Sequence, residues 1–322
     1  MNFPSDDELM AGEDVTPAHL IAEYPEDFRA GFACMVGRPN VGKSTLTNAM
    51  VGKKIAITSL RPQTTRHTIR GIVHRDDAQL VLVDTPGFHR PRTLLGKRLN
   101  DVVRETLTQV DVIVVCLPAT DEIGPGDRFI VSEAAATKTP LVAAITKTDL
   151  AGKERTARAL IEASQLADFA DLVPVSAVAG HQVDTLTDVL VSYLPKSPPL
   201  YPSGDITDEP ENVLIAEFVR EAALEGVREE LPHSLAVLVE ETRRLPAKNS
   251  GDLLHVYVTM YVERESQKAI VIGRGGSRLR EVGSRARSQI EALLGEKIYL
   301  DVHVKVAKDW QRDPKLLGRL GF

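Results

Sequence analysis

The sequence predicts an α/β chain in two parts: a doubly wound, mostly parallel sheet, then a smaller α+β unit. Three observations carry this. Short apolar runs alternate with helix-compatible polar stretches from about Phe32 to Ala177, most of these runs end in a turn-forming motif, and a stretch dense in Pro, Gly, Ser and Asp breaks the pattern near residue 200. The runs FACMVG, QLVLVDTPG, VDVIVVCLPA, PLVAAITKTDL and LVPVSA lack the alternation of a half-solvated strand and read as strands covered on both faces. Strand and helix in repeated succession wind a parallel sheet whose ligands sit beyond the carboxyl ends of the strands. With 322 residues, 43% of them hydrophobic, the chain can build two ordinary cores.

Taken in order, residues 1–29 read as an acidic, disordered extension with no assigned chemistry, and they show no basic segment followed by an apolar one, so no secretory signal is expected. Residues 30–198 are expected to form the first domain, 199–211 a linker within KSPPLYPSGDITDEP, 212–310 the second domain and 311–322 a tail. In the second domain we expect a helix from about Asn212, strands at 235–242 and 254–263, two helices straddling 270–294, and a strand at 298–306. No apolar run approaches the roughly 20 residues of a membrane span, so any membrane contact is expected to be peripheral. Cys34 and Cys116 lie inside strand-like runs and read as small buried hydrophobes, not as a disulfide or a zinc site. A net charge of −6 argues against coating nucleic acid by bulk electrostatics and leaves room only for a local basic face.

Gly37-Arg38-Pro39-Asn40-Val41-Gly42-Lys43-Ser44 fits GxxxxGK[ST] between a strand and the helical stretch TLTNAMV, which opens with Thr45. The glycines let backbone N–H groups turn inward around phosphates, Lys43 adds a charge at the β and γ groups, and the Ser44 hydroxyl ligates Mg²⁺. Asp84-Thr85-Pro86-Gly87 closes another apolar strand, aiming Asp84 at the Mg²⁺ shell through water and letting the Gly87 N–H approach the γ-phosphate. Thr146-Lys147-Thr148-Asp149 resembles the guanine motif NKxD: Asp149 accepts the two N–H groups of the guanine edge, and the Lys147 stem covers the ring. Threonine stands where that motif has asparagine, so one contact, to the base or to the phosphate loop, is expected to be lost at about 1 kcal/mol. Ser176-Ala177 matches the short SA signal that reaches the guanine carbonyl. Between these lies Gln63-Thr64-Thr65-Arg66-His67, exposed in character and read as a switch loop, with Thr65 preferred over Thr64 as the threonine that meets Mg²⁺ when the γ-phosphate is present. Lys43, Thr65, Asp84 and Gly87 are thus the expected catalytic set of a Mg²⁺-dependent GTPase that takes GTP to GDP and phosphate. Phe88 replaces the water-orienting glutamine of Ras-like GTPases, so slow turnover is expected unless another group or a cation helps. Asn40 matches relatives in which it ligates K⁺.

In the second domain Lys268, Ile272, Gly273-Arg274-Gly275-Gly276 and Arg278 bring together an apolar stretch, a GxxG turn and a helix start. A nucleic-acid backbone can lie against such glycines, with the helix N-terminus facing phosphate. Arg264, Arg280, Arg285 and Arg287 add positive charge around it against only Glu265 and Glu281.

GRPNVGKS, the QTTRH segment with its Ile57-Thr58-Ser59 lead, DTPGFH, KTD, VREELPHSLAV, VIGRGG and VKVAKDW with a downstream LGF together resemble the Era family of bacterial GTPases from Phe32 onward. The resemblance implies a P-loop GTPase domain followed by a type II KH domain. It also implies binding near the 3′ end of small-subunit ribosomal RNA (16S), a role in 30S subunit maturation, a cytoplasmic protein that can touch the inner face of the cell membrane, no DNA, and a monomer. The alternative kept beside it is a guanine-nucleotide-sensing RNA-binding protein that does not hydrolyse.

Overall fold

The structure, a computed structural model, describes residues 24–58, 65–87, 93–225, 234–246 and 252–322. The first part runs β1 (Arg29–Val36), α1 (Lys43–Val51), β2 (Ile69–His74), β3 (Ala78–Asp84), α2 (Leu94–Leu107), β4 (Val112–Pro118), α3 (Pro125–Ala135), β5 (Leu141–Thr146), α4 (Lys153–Ser164), β6 (Asp171–Pro174) and α5 (Val183–Ser192). Its six strands lie in the order β2-β3-β1-β4-β5-β6, parallel except for β2 against β3. The apolar runs behave as double-sided strands: β3, β4 and β5 are buried at every position. One side chain set, Ala33, Met35, Leu80, Leu82, Val114 and Ala144, packs under α1 and α5, and the alternate set, Cys34, Val36, Ile113, Val115, Ala143 and Ile145, packs under the other helices. The antiparallel edge strand β2 has no counterpart among the expected strands; its sequence IRGIVH is short and interrupted by Gly71, whose Cα lies so close to α1 that a Cβ would meet Val51 at 2.7 Å.

The second part is α6 (Glu211–Leu224), β7 (Ala236–Pro246), β8 (Asp252–Val262), α7 (Glu265–Ile272), α8 (Ser277–Leu294) and β9 (Ile298–Val306), closed by a 3₁₀ turn at Trp310–Arg312 and α9 (Pro314–Arg319). The order αββααβ follows the sequence pattern, each expected element appearing within a few residues, and the structure adds that β9 is parallel and β7 antiparallel to the central β8. Even-numbered valines and isoleucines of β8 and β9 face the helices: Val256, Val258, Val262 and Ile298 join Phe218, Val219, Val271, Val282 and Ile290 in one core.

The stretch between the two parts is strapped to the first sheet. The Gln79 carboxamide oxygen accepts from Leu200 N and Tyr201 N at 2.7 and 2.9 Å, and Arg70 pairs with Asp208 at 3.0 Å. The parts also share apolar surface. Ile57 enters the core of the second part, and Leu95 and Leu99 of α2 pack with Ala236, Tyr261, Trp310, Leu317 and Leu320.

Candidate nucleotide site and nucleic-acid interface

Positive backbone dihedrals shape the loop between β1 and α1: φ is 155° at Gly37, 65° at Asn40 and 103° at Gly42. At Gly37 a Cβ would strike Cys116 O and Val41 Cγ2 at 2.8 Å, so this turn admits only glycine. Lys43 begins α1, is 6% exposed, and donates to the carbonyls of Gly37 and Arg38 at 3.1 Å each, folded back over its own loop. Burial lowers its pKa, opposed by nearby Asp84. Sequence reasoning missed what holds the loop from outside. Arg38 Nε donates to Asp127 of α3 at 2.6 Å, and that carboxylate also accepts from Gly124 N at 2.9 Å, capping the same helix. Asn40 is exposed at the loop's tip.

The expected magnesium ligands converge. Ser44 Oγ donates to Asp84 Oδ2 at 2.6 Å and lies 2.9 Å from Thr65 Oγ1, which is 3.4 Å from the same carboxylate oxygen. Asp84 is fully buried at the end of β3 with Oδ1 left without a hydrogen-bond partner among the described residues, and burial pushes its pKa up to about 6 against the pull of Lys43, Ser44 and Thr65. Oxygen donors alone, one of them an orphaned buried carboxylate oxygen beside a lysine, fit a small hard cation with bound phosphates. Thr85 donates to Met35 O at 2.7 Å, and with Pro86 continues the buried strand end; a Cβ at Gly87 would meet Pro39 N at 2.9 Å, so the loop and the strand end touch there. Gln63, Thr64 and Phe88 lie outside the described residues.

At the other end, Thr146 is buried and donates to Val41 O at 2.5 Å. Of the two contacts its shorter side chain put in question, the one to the phosphate loop is present. Lys147 follows at φ 57°, and Asp149 is exposed, its Oδ1 accepting from Ser176 Oγ at 2.6 Å. Ser176 in turn accepts from Ala179 N at 3.1 Å and exchanges two backbone bonds of 3.0 Å with His181. Its side chain thus ties together the two motifs expected to read the base, a link a bare SA dipeptide does not reveal.

The switch segment departs from expectation. Thr65 and Arg66, read as exposed, are 8% and 2% exposed: Thr65 turns onto Ser44 and Asp84, and Arg66 is seated in the second part. Arg66 Nη1 donates to Leu235 O at 2.6 Å and its guanidinium lies 5.6 Å from the Trp310 ring. His67 Nδ1 is 3.4 Å from Glu217, itself paired with Arg220 at 2.5 Å, and the His67 ring stacks on Phe322 with centroids 4.8 Å apart. Burial alone would raise the Glu217 pKa, but Arg220 and His67 outweigh it and hold the carboxyl at about 2.

In the second part, α7 ends at Gly273 (φ 72°) and α8 starts after Gly275 (φ 58°) and Gly276 (φ 75°), with Ile272 and Arg274 flanking the turn. A Cβ on Gly275 or Gly276 would meet nothing within 4 Å, so this backbone lies open. Beside it runs a groove of about 570 Å³ between Gly276, Leu279, Arg280, Gly283, Ser284 and Arg287 of the α8 wall and Leu300 and Val302 of β9. Arg274 and Arg280 are exposed and Lys268 half-buried, and none of the three makes an ion pair among the described residues. Arg278 differs: its guanidinium donates to Ala223 O and Glu225 O at 3.2 and 2.7 Å, where it caps the end of α6.

A family described as "50S ribosome-binding GTPase" matches residues 32–147, and a KH domain family matches 230–311. The chain is 65% identical over 299 residues to the GTPase Era of Mycobacterium avium, covering 92% of this chain and 99% of that one, and 63% identical over 300 residues to the GTPase Era of Mycobacterium tuberculosis, with the same coverage. Among solved structures it is similar to an Aquifex aeolicus Era variant bound to GDP and AlF4⁻ (TM-score 0.87, 35% identity) and to Era in complex with MgGDPNP and nucleotides 1506–1542 of 16S ribosomal RNA (TM-score 0.87, 36% identity), each over 91% of this chain and 99% of the other. With a phosphate loop whose lysine is buried, a carboxylate beside its serine and an αββααβ unit carrying a GxxG turn open at Gly275 and Gly276, the chain belongs to the Era family of GTPases.

Proposed function

We propose that this GTPase is a nucleotide-gated RNA-binding protein of small-subunit (30S) maturation, whose KH unit at 212–310 takes the 3′ region of 16S ribosomal RNA. One observation carries the proposal. A phosphate loop with a buried lysine and an open, basic GxxG groove occur in one chain, and Thr65, at the Ser44 and Asp84 oxygens, is followed directly by Arg66 and His67, which reach the second domain. The relative solved with both MgGDPNP and 3′-terminal 16S nucleotides supports joint occupancy of two such sites.

In this reading Lys43, the loop amides of 37–45 and Gly87 hold the β- and γ-phosphates, Ser44 and Thr65 hold Mg²⁺ with Asp84 behind it through water, and Thr146, Lys147, Asp149, Ser176 and Ala177 frame the guanine. Mg²⁺ supplies charge neutralisation at the phosphates when bound; the protein's share is to keep donors preset around the site and water scarce. Turnover without RNA is slow. Asn40, at positive φ and exposed in the phosphate loop, is the residue we assign to a K⁺ ion that would add positive charge there; equal rates in Na⁺ and K⁺ buffers would remove that part. Lys268, Ile272, Arg274 and the glycines 273, 275 and 276 form the RNA contact, with Arg278 supporting the turn. The protein works in the cytoplasm as a monomer, and any meeting with the inner membrane is peripheral; among the described residues no helix is long and apolar enough to cross one.

The test is binding of a labelled 3′-terminal 16S fragment to the protein loaded with GDP or with a non-hydrolysable GTP analogue. Tighter binding in the analogue state is expected. Equal binding in both states overturns the gate, and absence of preference for the 3′ fragment over an unrelated RNA overturns the target.

A further inference from the structure

The two residues that follow Thr65 have no place in the chemistry above, yet both leave the first domain and enter the second. Arg66 reaches the Leu235 carbonyl at 2.6 Å and the face of Trp310, and Trp310 is itself fully buried with its indole N–H on Ser234 O at 2.9 Å. His67 reaches Glu217 on α6 and stacks on Phe322, whose carbonyl accepts from Arg98 of α2 at 2.5 Å. Thr65 is thus one peptide unit away from Arg66, whose guanidinium is seated in the other domain.

We infer that Arg66 is a positioning residue for the GTP state: seated between the Leu235 carbonyl and the Trp310 ring, it holds Thr65 at the Ser44–Asp84 oxygens, so the second domain helps set the preference for GTP over GDP. The inference rests on Thr65 being the γ-phosphate-dependent Mg²⁺ ligand. Its physical ground is the cost of unseating Arg66. A buried, hydrogen-bonded charge does not leave its acceptor without another, so Thr65 keeps its place as long as Leu235 and Trp310 keep theirs. Coupling of this kind is reciprocal: whatever the γ-phosphate gains from a seated Thr65, the seat of Arg66 gains from the γ-phosphate. GDP, lacking that phosphate, gains nothing from Thr65 and should be indifferent to Arg66.

The experiment titrates the full chain with fluorescent GDP and a fluorescent non-hydrolysable GTP analogue across a range of Mg²⁺ concentrations. Arg66→Ala and Trp310→Leu are expected to leave GDP affinity within about twofold, to weaken the GTP analogue about tenfold, and to raise the Mg²⁺ needed for half-saturation. Trp310→Phe, which keeps a ring under the guanidinium, should restore most of the ratio. Loss of both nucleotides in parallel, or of neither, overturns the inference. Should Trp310→Leu not fold, Arg66→Met, which keeps the stem and removes the charge, decides by the same ratio. Thr65→Ala separates this from the underlying reading: if it leaves the GTP/GDP ratio unchanged, Thr65 is not the ligand; if it lowers the ratio while Arg66→Ala does not, only the positioning role falls.

Discussion

A Cβ on Gly37 of the phosphate loop would lie 2.8 Å from two neighbours, whereas on Gly275 or Gly276 of the GxxG turn it would meet nothing within 4 Å. Both turns use glycine at positive φ, a following helix N-terminus and a basic side chain, yet the phosphate loop is hemmed in at Gly37 by Cys116 of β4 and by its own Val41, while the GxxG turn is tight only at Gly273, against its own Arg278, and open at Gly275 and Gly276. A closed turn with its lysine 6% exposed fits one small polyanion held in fixed geometry, where each donor acts in a water-poor setting. An open turn flanked by exposed arginines lets a polymer pass and binds it by neutralising successive phosphates. The largest expected effect tests the closed site. Lys43→Ala should slow single-turnover phosphate release by about 10²–10³-fold, the usual loss when one preorganised charged donor is removed, while RNA affinity in the GDP state stays within about twofold. Equal damage to both functions would show that the two sites are not separable.

The converse change is Gly276→Asp. Aspartate is among the residues that take φ 75° at modest cost, about 1 kcal/mol, and has open space around it, so melting temperature should fall by only a few degrees and GTP hydrolysis should hold, while a carboxylate beside the RNA path should weaken RNA binding tenfold or more, about 1.4 kcal/mol upward. Salt sharpens the same contrast. Between 50 and 200 mM salt, RNA affinity should fall with a log–log slope of roughly −0.7 per phosphate contacted, and nucleotide affinity should move far less. Parallel slopes would erase the distinction.

The closed site was the more legible of the two because it is local. Eight consecutive residues from Gly37 to Ser44 set its turn, and Asp84, Thr146 and Ser176 arrive at strand ends, a place that α/β topology fixes. The GxxG turn was readable too, but as a shorter motif that takes its weight from the apolar IVI before it, the strand after it and the basic residues grouped around it. What stayed hidden is long-range: Arg66 and Leu235 are 169 residues apart and Arg38 and Asp127 89, so no periodicity or local propensity reports either contact. A segment that is polar throughout reads as surface, and Thr65 and Arg66 are buried because one turns onto Ser44 and Asp84 and the other reaches Leu235 and Trp310. Edge strand β2 was missed for a related reason, since IRGIVH packs one side on α1 through a glycine and carries no uniform apolar run.

Between the two sites lies the Glu217–Arg220–His67 cluster, and acid should break it. The Glu217 carboxyl sits at about 2, below the unfolded value near 4.5, so its contribution is fully present above pH 4.5 and is lost as pH falls toward 2. Thermal melts of the wild type should drop across that window more than those of Glu217→Gln. At neutral pH Glu217→Gln should itself be less stable, because Arg220, 2% exposed, loses its ion-pair partner. Identical pH slopes for the two proteins would mean that the cluster does not carry acid sensitivity.

The smallest expected effect is at Thr146, where the phosphate end meets the base end. Its hydroxyl has one hydrogen to donate, and the structure places it on the Val41 carbonyl at 2.5 Å, which leaves no donor for the base. Thr146→Val removes the bond and leaves that carbonyl buried and unpaired, so GTP and GDP should both weaken by about 1 kcal/mol. Thr146→Asn brings two N–H hydrogens and an oxygen on a longer arm. One hydrogen can keep Val41 while the rest of the carboxamide turns to the guanine, and GDP affinity should rise by about 1 kcal/mol, roughly fivefold. Calorimetry with GDP on the three proteins decides: an asparagine that binds GDP no better than threonine would place guanine recognition on Asp149 and its Ser176 support alone.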